Sequence, residues 1–252
     1  MTALLTIEEV SKSFGPVVAL RDVTMSIDEA EAVGLIGDNG AGKSTLIKIL
    51  SGVYAPSSGR LRLDGRTVEF HSPLDARRSG IEMIYQDLAL CNDLDVSANI
   101  FLGRERRHRY GFLSLLDRVG MATETARILD ELGIAIAPDR EVGSLSGGER
   151  QMIAVARALQ FQPRLLLMDE PTAALSAEKI RVLLGLVDGL KSRGVSVLLI
   201  SHRFTDILHV CDRIVVVRQG AVVGEIQPHA QPPEHTMALM HGLMTGDRPT
   251  SA

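Results

Sequence analysis

Apolar residues fall into two rhythms along this chain of 252 residues. At residues 4–9, 17–27 and 60–70 they mix with polar ones at strand spacing and break at Gly15-Pro16, Gly59 and Gly65, predicting an antiparallel, hairpin-rich layer. Within that layer, residues 32–36 form a short uninterrupted apolar run, as expected of a parallel strand buried on both faces, and residues 43–50 follow as a helix. A strand-like run also stands at 81–85. From about residue 87 to 160 the period lengthens to that of helices at 96–102, 115–132 and 147–159, where Leu116, Val119, Ile128, Leu129 and Leu132 are spaced for one buried stripe. Strand character returns at 165–169 and 195–201 around a helix at 177–192, which predicts a right-handed βαβ unit. A hairpin at 213–218 and 221–226, turned at Gln219-Gly220, precedes a Pro-rich link and a short Met-rich helix. The pattern predicts an α/β fold. Residues 1–226 form one domain whose helical subdomain, about 87–160, is inserted in the α/β core, and residues 227–252 form a C-terminal extension.

Charge narrows the partners. The formal net charge is −4, so no global positive field draws the chain to nucleic acid or anionic lipid, and no nucleic-acid partner is expected. The basic run at 104–109 is the best case for one, and runs that short are usually solvated faces. Cys91 and Cys211 have no Cys or His at ligand spacing, which argues against a disulfide framework or zinc site and predicts two small buried hydrophobes. Glu8, Glu9 and Lys12 follow Leu4 and Leu5 too closely for a signal peptide. The apolar runs at 195–200 and 214–217 are far shorter than the roughly 20 residues of a membrane helix. The expectation is a soluble chain that reaches a membrane only by docking on a protein that spans it.

The densest chemistry lies between the predicted strand 32–36 and the helix after it. Gly37-Asp38-Asn39-Gly40-Ala41-Gly42-Lys43-Ser44-Thr45 matches the G-x-x-x-x-G-K-[ST] spacing, in which backbone N–H groups turn inward around phosphates. Lys43 then reaches the outer phosphates of a nucleoside triphosphate, and Ser44 offers its hydroxyl to magnesium. The apolar strand 165–169 ends in Asp169-Glu170, which puts Asp169 beside the loop to hold the magnesium shell and Glu170 where it can take a proton from an attacking water. Leu145-Ser146-Gly147-Gly148-Glu149-Arg150-Gln151 opens a helix with Ser146 as a cap candidate; on its own this is either a turn or a second anion-binding site.

This order of motifs resembles the ATP-binding cassette (ABC) ATPases, whose signature is Leu-Ser-Gly-Gly, and the likeness covers about residues 4–226. It implies a P-loop NTPase core, ATP and Mg2+ as ligands, and further site residues. Phe14 would stack on adenine, although a core phenylalanine is the alternative. Gln86 would contact magnesium or the attacking water and sense the membrane partner, and His202 would touch the γ-phosphate. It also implies a head-to-tail dimer in which Ser146, Gly147 and Gly148 serve the nucleotide of a second copy.

Residues 84–90, 94–105, 170–176 and 244–246 are similar to importers of the ribose, galactose, xylose and fructose type, and Ser176 departs from the Asp that most other cassettes carry there. The resemblance implies a peripheral ATPase at the cytoplasmic face of the inner membrane, working with transmembrane permease subunits and, indirectly, an external sugar-binding protein. The rival is a soluble cassette acting on nucleic acid, ribosomes or iron–sulfur assembly; it should show a coiled-coil insertion, a tandem cassette or a basic surface.

Overall fold

A computed structural model describes residues 3–85, 88–110, 113–172 and 176–246. The chain opens with β1 (Ala3–Phe14), β2 (Val17–Asp28) and the short buried β3 (Ala32–Ile36), then α1 (Lys43–Leu50), β4 (Ser58–Leu63), β5 (Arg66–Val68), α2 (Pro73–Arg78) and β6 (Ile81–Ile84). The middle holds α3 (Val96–Ile100), β7 (Arg107–Tyr110), β8 (Leu113–Leu116), α4 (Arg118–Glu131) and α5 (Gly147–Leu159). The rest is β9 (Leu165–Asp169), α6 (Ala177–Ser192), β10 (Ser196–Ile200), α7 (Phe204–Val210), β11 (Arg213–Arg218), β12 (Ala221–Ile226) and α8 (Pro233–Thr245).

Two sheets carry the α/β fold. The first is antiparallel in the order β2-β1-β4-β5, and the second runs β12-β11-β3-β10-β9-β6, parallel except for the edge strand β12. Because successive side chains of a strand point to opposite faces, each central strand feeds two cores. Val33, Leu35, Leu165 and Leu167 join the core shared with the antiparallel sheet and α1, whereas Ala32, Ile36, Leu166 and Met168 join the one packed under α6 and α7. That double burial explains the unbroken apolar runs. Arg213 ties the layers together by pairing with Glu31 and Glu225 and donating to the Ser26 carbonyl at 2.7 Å.

The middle elements share a core of their own, in which Val96, Phe101, Ile128, Leu129 and Ile153 meet. Asn99, fully buried, holds the turn before α3 by donating to the carbonyls of Cys91, Leu94 and Asp95 and accepting from the Cys91 N–H. This stretch is not wholly helical. The expected helix at 115–132 begins only at Arg118, because the Asp117 carboxylate caps it by accepting from Gly120 N–H at 2.8 Å. Leu115 and Leu116 instead pair in β8 with His108 and Arg107. Leu116 and Val119 are therefore exposed, at 42% and 78%, rather than parts of the buried stripe that Ile128 and Leu129 do form. Cys91 is exposed as well, and only Cys211 is the buried hydrophobe expected. The strand expected at 60–70 divides into β4 and β5 around Asp64-Gly65, while α2 and α7 add helices that the apolar period did not reveal.

Gly34 lets α7 close on β3: a Cβ there would lie 2.6 Å from Ile207 Cγ2 and 3.2 Å from Cys211 Sγ. Overpacking such a contact displaces the helix. Gly34→Ala is expected to destabilise the fold by about 1–3 kcal/mol in urea denaturation, and an unchanged midpoint would contradict this packing.

Candidate functional site

At the carboxyl ends of β3, β9 and β10, the side of a parallel sheet where ligands bind, a cleft of about 520 Å³ is lined by Ala19, residues 39–45, Asp169, Glu170, Ile200 and His202. The expected phosphate loop, the acidic pair and the histidine are thus brought together. Gly37 is held by close approach as well as by its φ of 153°, since a Cβ would lie 2.1 Å from the Val217 carbonyl oxygen. The loop is backed by the β11–β12 turn, where Gly220 N–H donates to Ala41 O at 3.0 Å. Lys43 is only 6% exposed, and its ammonium donates to the loop's own carbonyls, Gly37 O at 2.6 Å and Asp38 O at 3.0 Å. Burial lowers its pKa, opposed by the nearby carboxylates of Glu170, Asp169 and Asp38.

Parallel register sets the acidic pair. Asp169 is paired with Ile200, and Glu170 N–H donates back to Ile200 O at 3.0 Å. Glu170 takes a φ of 53°, a conformation that non-glycine residues adopt rarely and that is frequent at functional sites. His202 Nε2 lies 3.1 Å from Glu170 Oε1 and His202 N–H donates to Oε2 at 3.4 Å. Beyond that ion-pair contact, Oε1 is buried with no aligned hydrogen-bond donor among the described residues, leaving acceptor capacity free. Burial pushes the carboxyls of Asp169 and Glu170 up. Lys43, Lys48 and the Ser44 hydroxyl pull Asp169 back, and His202 does the same for Glu170.

The signature segment lies elsewhere. Ser146 caps α5 with a complete capping box: its Oγ accepts from Glu149 N–H at 3.3 Å, and Glu149 Oε2 accepts from Ser146 N–H at 2.8 Å. Lys179 Nζ donates to Ser146 Oγ at 2.7 Å and its stem covers Gly148, where a Cβ would meet Lys179 Cδ at 2.1 Å. A Cβ on Gly147 would meet nothing within 4 Å, so the fold does not require glycine there. Ser146, Gly147 and Gly148 do not line the cleft.

Phe14 is 42% exposed at the end of β1, which removes the core alternative. Its ring meets Tyr54 edge-on at 5.2 Å, and Lys12 Nζ stands 5.2 Å from its centroid. Gln86 lies outside the described residues. The structure adds residues that no motif flagged. Ala19 lines the cleft, Tyr54 buttresses Phe14, Lys179 covers the signature, and Arg157 of α5 donates to the carbonyls of Leu88 and Ala89. None of these carried a signal in sequence, because each is defined by a neighbour distant along the chain.

The profile of the family described as ABC transporter matches residues 20–173. The chain belongs to the ABC transporter family. The cassette is 49% identical over 225 residues, 88% of either chain, to the xylose/arabinose import ATP-binding protein of Sulfolobus acidocaldarius. It is 44% identical over 220 residues to a ribose import ATP-binding protein of Streptomyces avermitilis, covering 87% of this chain and 43% of that relative, so it spans less than half of the relative's length. Among solved structures it is similar to an ATP-binding cassette of an ABC transporter in its ADP conformation, with a TM-score of 0.80, 25% identity and 96% of each chain covered.

The raised carboxyl of Glu170 has a consequence for stability. A carboxylate whose folded pKa lies above its unfolded value loses stability as pH rises through that interval, because the folded state there holds more protons than the unfolded one. Glu170→Gln removes this penalty. The nucleotide-free variant is expected to melt higher than wild type at neutral pH, with the gap closing as pH falls towards 4.5, the ordinary value of this carboxyl; a gap independent of pH would contradict it.

Proposed function

We propose that this cassette is the ATP-hydrolysing subunit of a monosaccharide importer, with the buried Glu170 Oε1, beside His202 and without an aligned hydrogen-bond donor among the described residues, as the observation that carries it. The loop amides at 37–45 bind the triphosphate, and Lys43 exchanges its two carbonyl partners for the β- and γ-phosphates. Ser44 and Asp169 supply hard oxygen donors of the type Mg2+ takes, few enough to leave its remaining positions to phosphate and water. When bound, Mg2+ would neutralise charge developing on the phosphates. Glu170 Oε1 accepts the proton of the attacking water, and His202, fixed on Glu170, reaches the γ-phosphate; the products are ADP and inorganic phosphate. Gln86 contacts the same water or metal.

Phe14 presents an exposed ring to adenine. The separation of Ser146, Gly147 and Gly148 from the cleft supports a head-to-tail dimer, in which these residues meet the nucleotide held by a second copy. The similarity to xylose/arabinose and ribose import proteins supports a sugar as cargo, a transmembrane permease and an external sugar-binding protein as partners, and a peripheral position at the cytoplasmic face of the inner membrane. No helix among the described residues is long and apolar enough to cross a membrane, in keeping with a separate permease.

Lys43→Ala is expected to abolish ATP turnover, and undiminished hydrolysis would remove the loop from the mechanism. Glu170→Gln should lower turnover by roughly 10²–10⁴-fold, as for loss of a general base, while retaining ATP and accumulating dimers by light scattering. A monomer at saturating ATP would count against the shared site. Copurification with a permease, and stimulation of its ATPase by one sugar, would identify the cargo.

A further inference from the structure

Lys179 stands in none of the motifs, yet its side chain completes the signature segment. It projects from the first turn of α6, next to Ile180, which is buried in the core beneath that helix. Its stem lies across Gly148, where a Cβ would come within 2.1 Å of Lys179 Cδ, and its ammonium donates to Ser146 Oγ at 2.7 Å. Gly148 is buried under this cover, whereas Ser146 and Gly147 are exposed. The start of α5 is therefore closed over Gly148 and open over Gly147.

A serine hydroxyl has one proton to donate and two lone pairs to offer. Both lone pairs of Ser146 Oγ are taken, one by Glu149 N–H at 3.3 Å and the other by the Lys179 ammonium at 2.7 Å. What the hydroxyl has left is its proton. Inside the chain that proton can turn to the Glu149 carboxylate, whose pKa is lowered first by the Ser146 hydroxyl, then by the Ser146 N–H, with Arg140 and Lys179 adding to both. Glu149 does not depend on it, because Oε2 accepts from Ser146 N–H at 2.8 Å and Oε1 from Arg140 at 3.1 Å. The proton is thus free to leave for another oxyanion without orphaning a carboxylate.

We propose that Lys179 is a positioning residue: by occupying the second lone pair of Ser146 Oγ, it commits that hydroxyl to donate to the γ-phosphate of the nucleotide held by a second copy. The inference rests on the proposed head-to-tail site. Phosphate oxygens are acceptors, so a serine that presented a lone pair to them would oppose closure. An ammonium that donates into a hydroxyl also polarises its O–H bond and strengthens the hydrogen bond that the hydroxyl donates in turn. The stem adds to this by packing on Gly148, since a lysine already held in place loses less rotamer freedom when the site closes.

The test compares two variants of the purified full chain in the Glu170→Gln background: Lys179→Met, which keeps the stem and removes the ammonium, and Lys179→Arg, which keeps the charge. With Lys179 intact, light scattering is expected to show dimers as ATP is raised. Lys179→Met should need roughly tenfold more ATP, the order of loss for one hydrogen bond to a charged group, and Lys179→Arg should recover most of it. Equilibrium dialysis of dilute monomer should give the same ATP affinity for all three, because Lys179 does not line the cleft of its own chain. Ser146→Ala then shows whether Lys179 acts through the hydroxyl: adding Lys179→Met to it should cost nothing further. Losses that add, or dimerisation of Lys179→Met at wild-type ATP, would overturn the proposal. So would a lowered melting temperature of Lys179→Met without rescue of dimerisation by arginine, which would make the contact merely structural. Absence of dimers with Lys179 intact defeats the head-to-tail reading and the inference with it, whereas dimers that form equally well without the ammonium defeat the role of Lys179 alone.

Discussion

One desolvated charge organises the cleft. Lys43 is buried with no carboxylate of the described residues in hydrogen-bonding contact; its ammonium is held by two carbonyls of the loop that it follows. Burying an ammonium in this way is unfavourable, and burial accordingly lowers its pKa while the carboxylates of Glu170, Asp169 and Asp38 pull it back up. Such an arrangement is poised for an anion: phosphate oxygens could replace the carbonyls and bring compensating charge. The glycines serve the same end by letting the backbone fold tightly enough for its own oxygens to reach Nζ.

The acidic side of the cleft is unfavourable in the complementary sense. Asp169 and Glu170 are adjacent, half-buried and raised in pKa by that burial, and Glu170 adds a left-handed backbone. Two desolvated carboxylates facing a desolvated ammonium without direct contact leave space between them for a ligand carrying both charges, such as a metal–phosphate complex. A fold selected for stability alone would close that gap with an ion pair.

Sequence patterns revealed most of this because the cleft is built from short local elements. The loop, the pair Asp169-Glu170 and the run 32–36 each carry their geometry within a few residues, so spacing sufficed to place them. What the pattern did not reveal came from tertiary packing. Leu116 and Val119 have the spacing of a buried stripe, yet the cap at Asp117 and the pairing of Leu116 with Arg107 put them outside. The distinction between a helix and a strand followed by a cap lies in hydrogen bonds that apolar periodicity does not sample. Lys179 and Tyr54 are likewise defined only by neighbours 33 and 40 residues away, Ser146 and Phe14.

Register converts the cleft into a device sensitive to its third strand. Asp169 pairs with Ile200, so Glu170 meets the backbone of Ile200 and the side chain of His202 two residues on. A shift of one residue between β9 and β10 would exchange which carboxylate faces the histidine, because successive side chains alternate faces. The two strands resist such a shift: their inner side chains, Leu166 and Met168 against Val197 and Leu199, are fully or almost fully buried in one core while Leu167 and Leu198 fill the other. The burial that holds the strands in line therefore also holds Glu170 Oε1 beside His202. Those two residues sit where the rigid strands end, and it is there, rather than within the sheet, that a bound triphosphate can alter the geometry.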